Sequence, residues 1–318
     1  MVMAQSLFKI IKAEHSESTI AVLAPAWSAP VLARMPEVDS SIVMPVGHGA
    51  LGLKDRFRLS RQLKGEFDHA IVLPGSLKSA LVPWLARIPV RTGFVGEQRY
   101  GLLNDIRKLD KKMLPLHVQR VAALGKRKSA NAPTLAEIPK PKLVTDQANK
   151  AVACENVGLN PDKKTIALCP GAEFGPAKQW PISHFAEVAA WGIEQDHQVI
   201  VMGSEKDSKA AEEICQLAKG TKDLTGKTSL GDAIDIMSIA SDVVSNDSGL
   251  MHIAAALDNH VIAIYGSSSD DYTPPLSDSA TKLSLNLSCR PCFQRTCPLG
   301  HLDCLNKIEA NKVIECIQ

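Results

Sequence analysis

The chain has 318 residues, 45% of them hydrophobic and 22% charged, the balance of an ordinary globular protein. That length points to two domains of about 150 residues each, and the longest apolar runs, such as Ile71–Leu73 and Val261–Ile264, are far too short to span a bilayer. The net charge of +2 conceals an asymmetry, because residues 1–148 carry 22 Lys+Arg against 12 Asp+Glu and the remainder 14 against 22. A basic half joined to an acidic half suggests that the first domain meets something anionic. Aromatic content of 4% leaves no interleaving of basic and stacking residues and argues against nucleic acid.

Residues 1–13, with Leu7, Ile10 and Ile11 at helical spacing, read as an amphipathic helix with no strand before it. Right-handed βαβ logic wants a strand feeding that helix, usually at the centre of the sheet, so a piece of the pattern is missing. The start lacks the features of a secretory signal, which makes the cytoplasm the expected compartment. Thr19–Ala24, Ser41–Met44 and His69–Leu73 read as buried strands alternating with helical segments. The basic, proline-bearing stretch from Lys126 to Lys142 reads as a linker, with the domain boundary near residue 145. Beyond it, Thr165–Cys169, Gln198–Met202, Asp242–Ser245 and Val261–Tyr265 repeat the strand pattern. The expected fold class is α/β, with two Rossmann-like halves.

The clearest candidate site is the turn Asn246-Asp247-Ser248-Gly249-Leu250-Met251-His252, where a strand runs into a helix. Asp247 is placed to cap a helix from Ser248 to Leu257, whose free N–H groups, with Gly249 admitting close approach, form an anion pocket. His252 lies one turn down the face of Ser248. The plain alternative is a capped helix with a half-buried histidine. A second strand-to-helix loop, Pro170-Gly171-Ala172-Glu173-Phe174-Gly175-Pro176-Ala177-Lys178-Gln179-Trp180-Pro181, offers Lys178 as a point charge for phosphate and Glu173 as a hydrogen-bond acceptor. A third, Gly203-Ser204-Glu205-Lys206-Asp207, presents carboxylates of the kind that hold ribose hydroxyls. Three polar, glycine-bearing loops at consecutive strand ends converge on one ligand.

The segments Cys169 to Pro181 and Asn246 to Leu257, with Tyr265-Gly266-Ser267-Ser268-Ser269 and, in the first half, Gly47-His48-Gly49-Ala50-Leu51 and Arg99-Tyr100-Gly101-Leu102-Leu103-Asn104-Asp105, resemble the ADP-heptose:lipopolysaccharide heptosyltransferases of glycosyltransferase family 9 along essentially the whole chain. The resemblance implies a GT-B fold, two Rossmann-like domains facing across a cleft. Residues 1–145 would bind the acceptor, 146–305 the nucleotide sugar, and 306–318 would form a helix packing back on the first domain. It implies inverting transfer of a heptose from ADP-heptose to the first heptose of the lipopolysaccharide inner core, with no cofactor required. Lys178 would stabilise the leaving pyrophosphate; Glu173, Phe174, Glu205 (in second place Asp207), Thr228, Asp247, Ser248, Gly249 and His252 would hold the donor. The phosphorylated Kdo-lipid A acceptor, met at the cytoplasmic face of the inner membrane, supplies the anionic partner, with Arg56, Arg58, Arg61, Lys64, Lys78, Arg91 and Arg99 as candidate acceptor cations.

The family's general base is an Asp in a Gly-Asp pair after the first strand, and that pair aligns just ahead of Met1. Feeble transfer by this chain is therefore expected, since a positioned base contributes roughly a hundredfold to ten-thousandfold. The rival readings are a donor-binding protein without activity and a GT-B transferase or epimerase for another nucleotide sugar. A dinucleotide oxidoreductase is disfavoured because no Gly-x-Gly-x-x-Gly opens either half. Cys289, Cys292, Cys297 and Cys304, spaced C-x2-C-x4-C-x6-C, are a weaker candidate for a metal site, since paired Cys-x2-Cys knuckles are absent.

Overall fold

A computed structural model describes residues 1–47 and 49–318; His48, within the glycine motif quoted above, lies outside the described residues. The chain divides into two units between Pro139 and Lys140.

The first unit opens on helix α1 (Gln5–Glu14), followed by β1 (Ala21–Ala24), α2 (Ala29–Leu32), β2 (Ser40–Val43), α3 (Leu53–Gln62), β3 (His69–Ile71), α4 (Leu77–Leu85), β4 (Val90–Phe94), β5 (Asp105–Arg107) and α5 (His117–Gly125). Its described strands form two separate parallel sheets, β1-β2 and β3-β4-β5. α1 buries Leu7, Phe8 and Ile10, and packs against α5 so tightly that a Cβ on Gly125 would stand 2.6 Å from the Leu7 side chain. Strands β4 and β5 escape a hydrophobic-run reading because they carry a polar chain across the sheet. The His69 ring lies 2.7 Å from Thr92 Oγ1, which donates to Asp105 Oδ2 at 2.8 Å, and Arg107 pairs with the same carboxylate at 3.0 Å.

The second unit contains α6 (Gln147–Asn156), β6 (Thr165–Cys169), α7 (Ile182–Glu194), β7 (Gln198–Val201), α8 (Ser208–Leu217), β8 (Lys222–Asp223), α9 (Leu230–Met237), β9 (Asp242–Asn246), α10 (Gly249–Ala256), β10 (His260–Ile264), β11 (Ala280–Leu283), α11 (Asp303–Asn306) and α12 (Ala310–Ile314). Its six strands are all parallel in the order β11-β10-β9-β6-β7-β8. β6, β9 and β10 are buried at every position, as a parallel sheet covered on both faces requires.

The strand order reverses between β6 and β9, and in open α/β sheets ligands bind outside the carboxyl ends of the strands at such a point. The Glu173–Lys178 loop leaves one of these two strands and the Asn246–His252 turn leaves the other.

The closing segment, expected as one helix over 306–318, is helical only over Ala310–Ile314, after α11 ends at Asn306. Leu305, Ile308, Ala310 and Val313 join the cluster that includes Trp180 and Phe185, and Trp180 Nε1 donates to the Ile308 carbonyl at 2.7 Å. Leu305 is fully buried against Gly266, where an added Cβ would stand 2.8 Å from its Cγ. We expect Leu305→Ala to cost about 2–5 kcal/mol of stability through the cavity it leaves, read as a fall in the urea midpoint with unchanged slope.

Candidate functional site

The site is framed by Asn246, the last residue of β9 and fully buried. Its Nδ2 donates to the Pro170 carbonyl at 2.7 Å and its Oδ1 accepts from the Trp180 backbone N–H at 3.0 Å. One carboxamide therefore staples both ends of the loop after β6 to the turn after β9. Within that frame Lys178 Nζ is paired with Asp247 Oδ2, the lysine side chain 17% exposed and the carboxylate 5%. The ammonium also stands 5.0 Å from the centre of the Phe174 ring, a cation–π contact.

This arrangement corrects the expected role of Asp247. The helix begins at Gly249, its N-cap is Ser248, and no side chain caps it; Asp247 turns to Lys178, 69 positions away in sequence. The first N–H groups of α10 thus keep no side-chain acceptor at the N-cap, and a Cβ on Gly249 would meet nothing within 4 Å. Open space in front of a helix N-terminus, with an ammonium beside it, is the geometry that receives an anion. His252 is half-buried on the same helix.

The two carboxylates expected at the ribose, Glu205 and in second place Asp207, have different surroundings. Asp207 Oδ2 accepts from both the N–H and the hydroxyl of Ser204 at 2.8 Å, closing a capping box, while Glu205 is exposed. The turn that carries half-buried Thr228 packs against Glu205, a Cβ on Gly226 coming within 3.0 Å of the Glu205 Cα. Glu173 is exposed and bridged to Lys206 at 2.6 Å, a surface pair that a ligand displaces at little cost.

One cation went unnoticed in the sequence. Arg295 places its guanidinium 5.5 Å from the Phe174 ring and its carbonyl accepts from Ala177 N at 3.0 Å. It lies among the clustered cysteines, where no phosphate signature marks it. The serines after β10 were quoted only as a motif, yet the Ser267 and Ser268 hydroxyls are buried without a hydrogen-bond partner. Burial, and then the charge of Asp247, holds the Tyr265 phenol above its ordinary range; it serves as a neutral donor to the Thr273 carbonyl at 2.9 Å.

The first unit separates the seven candidate acceptor cations into two groups. Arg56 is buried and donates to the carbonyls of Leu51 and Lys78; Arg91 donates to those of Leu102 and Ile88. Arg99, 1% exposed, donates to the carbonyls of Phe94, Pro74 and Ser76 and to the Ser79 hydroxyl. These guanidiniums are occupied as backbone clamps. Arg58, Arg61 and Lys64 are exposed along or just beyond α3, and Lys78 is half-buried.

The glycosyltransferase family 9 (heptosyltransferase) model matches residues 56–303. The lipopolysaccharide heptosyltransferase 2 of Salmonella typhimurium is 42% identical over 325 aligned residues, covering 99% of this chain and 93% of its own. The lipooligosaccharide heptosyltransferase 2 of Haemophilus influenzae is 46% identical over 90% of this chain and 85% of its own. Among solved structures, the Escherichia coli ADP-heptose lipopolysaccharide heptosyltransferase II superposes with a TM-score of 0.88 at 40% identity, over 99% of this chain and 93% of the other.

Removing Lys178 alone strands a carboxylate that is 5% exposed, so Lys178→Met should cost up to about 3–5 kcal/mol of stability. The double variant Lys178→Met/Asp247→Asn should recover most of that in urea denaturation without recovering anion binding. Arg99→Lys should destabilise by about 2–4 kcal/mol through its unsatisfied carbonyls, whereas Arg58→Lys should stay within about 0.5 kcal/mol.

Proposed function

The chain belongs to glycosyltransferase family 9, the heptosyltransferase family, and we propose that it transfers a heptose from ADP-heptose to the first heptose of the lipopolysaccharide inner core. The observation that carries the reading is the anion site at the strand-order reversal, where Lys178 stands beside the open N-terminus of α10. Transfer with inversion builds negative charge on the departing pyrophosphate as the anomeric carbon becomes oxocarbenium-like. A fixed ammonium and a helix dipole already aimed at that position stabilise the charge without reorganising. To receive the diphosphate, Lys178 exchanges its bond with Asp247 for one with a phosphate oxygen, which frees the carboxylate for a sugar hydroxyl. Glu205 and the Thr228 turn stand where the ribose and base of the same nucleotide would lie, and no step of this scheme runs through a metal.

The acceptor in this reading is the phosphorylated Kdo-lipid A core at the cytoplasmic face of the inner membrane. The excess of Lys and Arg in the first 148 residues supports it, with Arg58, Arg61 and Lys64 as the exposed cations available for phosphate. Among the described residues, no helix is long and apolar enough to cross a membrane.

Two measurements test the proposal. ADP should raise the thermal midpoint and UDP should not, by an amount equivalent to about 2.7 kcal/mol at a hundredfold excess over Kd; equal protection by both nucleotides would assign a different donor. Incubation with ADP-heptose and heptosyl-Kdo2-lipid A should add one heptose by mass spectrometry, and Lys178→Met should lower that rate by about a hundredfold or more. Donor protection without any heptose transfer would favour a donor-binding role.

A further inference from the structure

Cys289, Cys292, Cys297 and Cys304, the weaker metal candidate, are not supported as a site: among the described residues no three His, Cys, Asp or Glu side chains are grouped to hold an ion. What their segment does bring to the loop after β6 is an arginine. Residues 284–302 run from β11 to α11 without regular secondary structure, yet residues 293–295 are fixed by three backbone hydrogen bonds in series. Phe293 N–H donates to the Ser267 carbonyl at 2.8 Å, Ser267 N–H to that of Ala177 at 3.0 Å, and Ala177 N–H to that of Arg295 at 3.0 Å. Arg290 braces the same turn, donating to the carbonyls of Gly266 at 2.8 Å and Ser268 at 3.1 Å and pairing with Asp270 at 3.2 Å. The approach is so close that a Cβ on Gly175 would stand 2.7 Å from the Arg295 carbonyl oxygen. Only glycine, three residues ahead of Lys178, lets the two segments meet.

The backbone of Arg295 is thus pinned to the loop that carries Lys178, while its side chain is left free. Arg295 is exposed, and its guanidinium has no hydrogen bond or ion pair with any described residue; its one contact is the Phe174 ring, 5.5 Å from the ring centre. That contrasts with Arg290, the other arginine after residue 140, and it occurs in the half of the chain with an excess of Asp and Glu. The Lys178 ammonium stands 5.0 Å from the centre of the same ring. Two cations therefore share one aromatic side chain, and only Lys178 has a carboxylate partner, Asp247. A cation–π contact at an exposed site is weak, so Arg295 remains available to an anion that reaches Lys178.

We infer that Arg295 is a second phosphate-binding residue of the donor site, donating through its forked N–H groups to the diphosphate that also meets Lys178. The inference rests on the donor reading proposed above and adds a residue to it. A nucleoside diphosphate sugar carries one negative charge on each phosphate. When the bond to the anomeric carbon breaks, its electron pair stays on the terminal phosphate and adds a further charge there. Lys178 gives up Asp247 to bind the diphosphate, so one ammonium alone leaves the growing charge underbalanced. A planar guanidinium matches phosphate oxygens two at a time and cannot lose its proton at working pH. Because the Arg295 carbonyl is tied to Ala177, the fork stays with Lys178 if the loop shifts on binding.

Calorimetric titration with whichever nucleoside diphosphate binds, ADP or UDP, tests the assignment apart from the identity of the base. Arg295→Gln should weaken that diphosphate by about ten- to a hundredfold, the loss of a charge-assisted contact. The matching nucleoside, which has no phosphate, should bind variant and wild type alike. The urea midpoint should not move, since the anchoring carbonyl is retained, and Arg295→Lys should restore part of the affinity. In the transfer assay kcat of Arg295→Gln should fall by about tenfold or more. A diphosphate affinity within about twofold of wild type, or equal losses for diphosphate and nucleoside, would overturn the assignment and leave the donor reading standing. A wild-type chain that binds neither diphosphate overturns the donor reading and this assignment with it.

Discussion

The second unit depends on one buried carboxamide. Asn246 sits where the strand order reverses, and its two hydrogen bonds tie the chain at both ends of the Glu173–Lys178 loop to the turn that begins α10. A loop of this length, rich in glycine and proline, has little of its own to hold it. Because the tie is buried, water cannot compete for it, and an asparagine left unpaired there would cost the full desolvation of its polar atoms. Everything chemical that follows, from the reach of Lys178 to the exposure of the α10 N-terminus, inherits its position from that contact.

The sequence disclosed the central strands of the second unit far better than its edge strands or β4 and β5, for physical reasons. β6, β7 and β10 carry runs of three or four apolar residues because both faces of their sheet are covered, and such runs stand out from their flanks, whereas β9 shows only Val243 and Val244 between buried polar residues. β4, β5, β8 and β11 carry residues such as Arg91 and Thr92, Asp105 and Arg107, Lys222 and Asp223, and Thr281 and Lys282. Their burial is partial or satisfied by polar ladders, so no apolar pattern announces them.

The same limit applies to side chains. Local rules read Asp247 as a helix cap because the residues that decide otherwise are distant in sequence, and only the fold brings Lys178 to it. Asp207, expected at the ribose only in second place to Glu205, closes a capping box with Ser204 three residues away. Among the basic residues of the first unit, composition cannot tell a cation facing solvent from one such as Arg99, whose guanidinium is enclosed by carbonyl oxygens. Arg295 escaped notice because its significance comes from Phe174, a residue with no charge.

The pairing of Lys178 with Asp247 bears on selectivity in a cell crowded with phosphate compounds. A lone lysine at a helix N-terminus would be a sink for any small anion. Here Asp247 already satisfies that cation, so inorganic phosphate, with few other contacts to make, has little reason to displace the carboxylate. A larger ligand that also reaches neighbouring groups can outweigh that bond. The pair thereby favours a ligand that forms several attachments at once over a small anion that forms one.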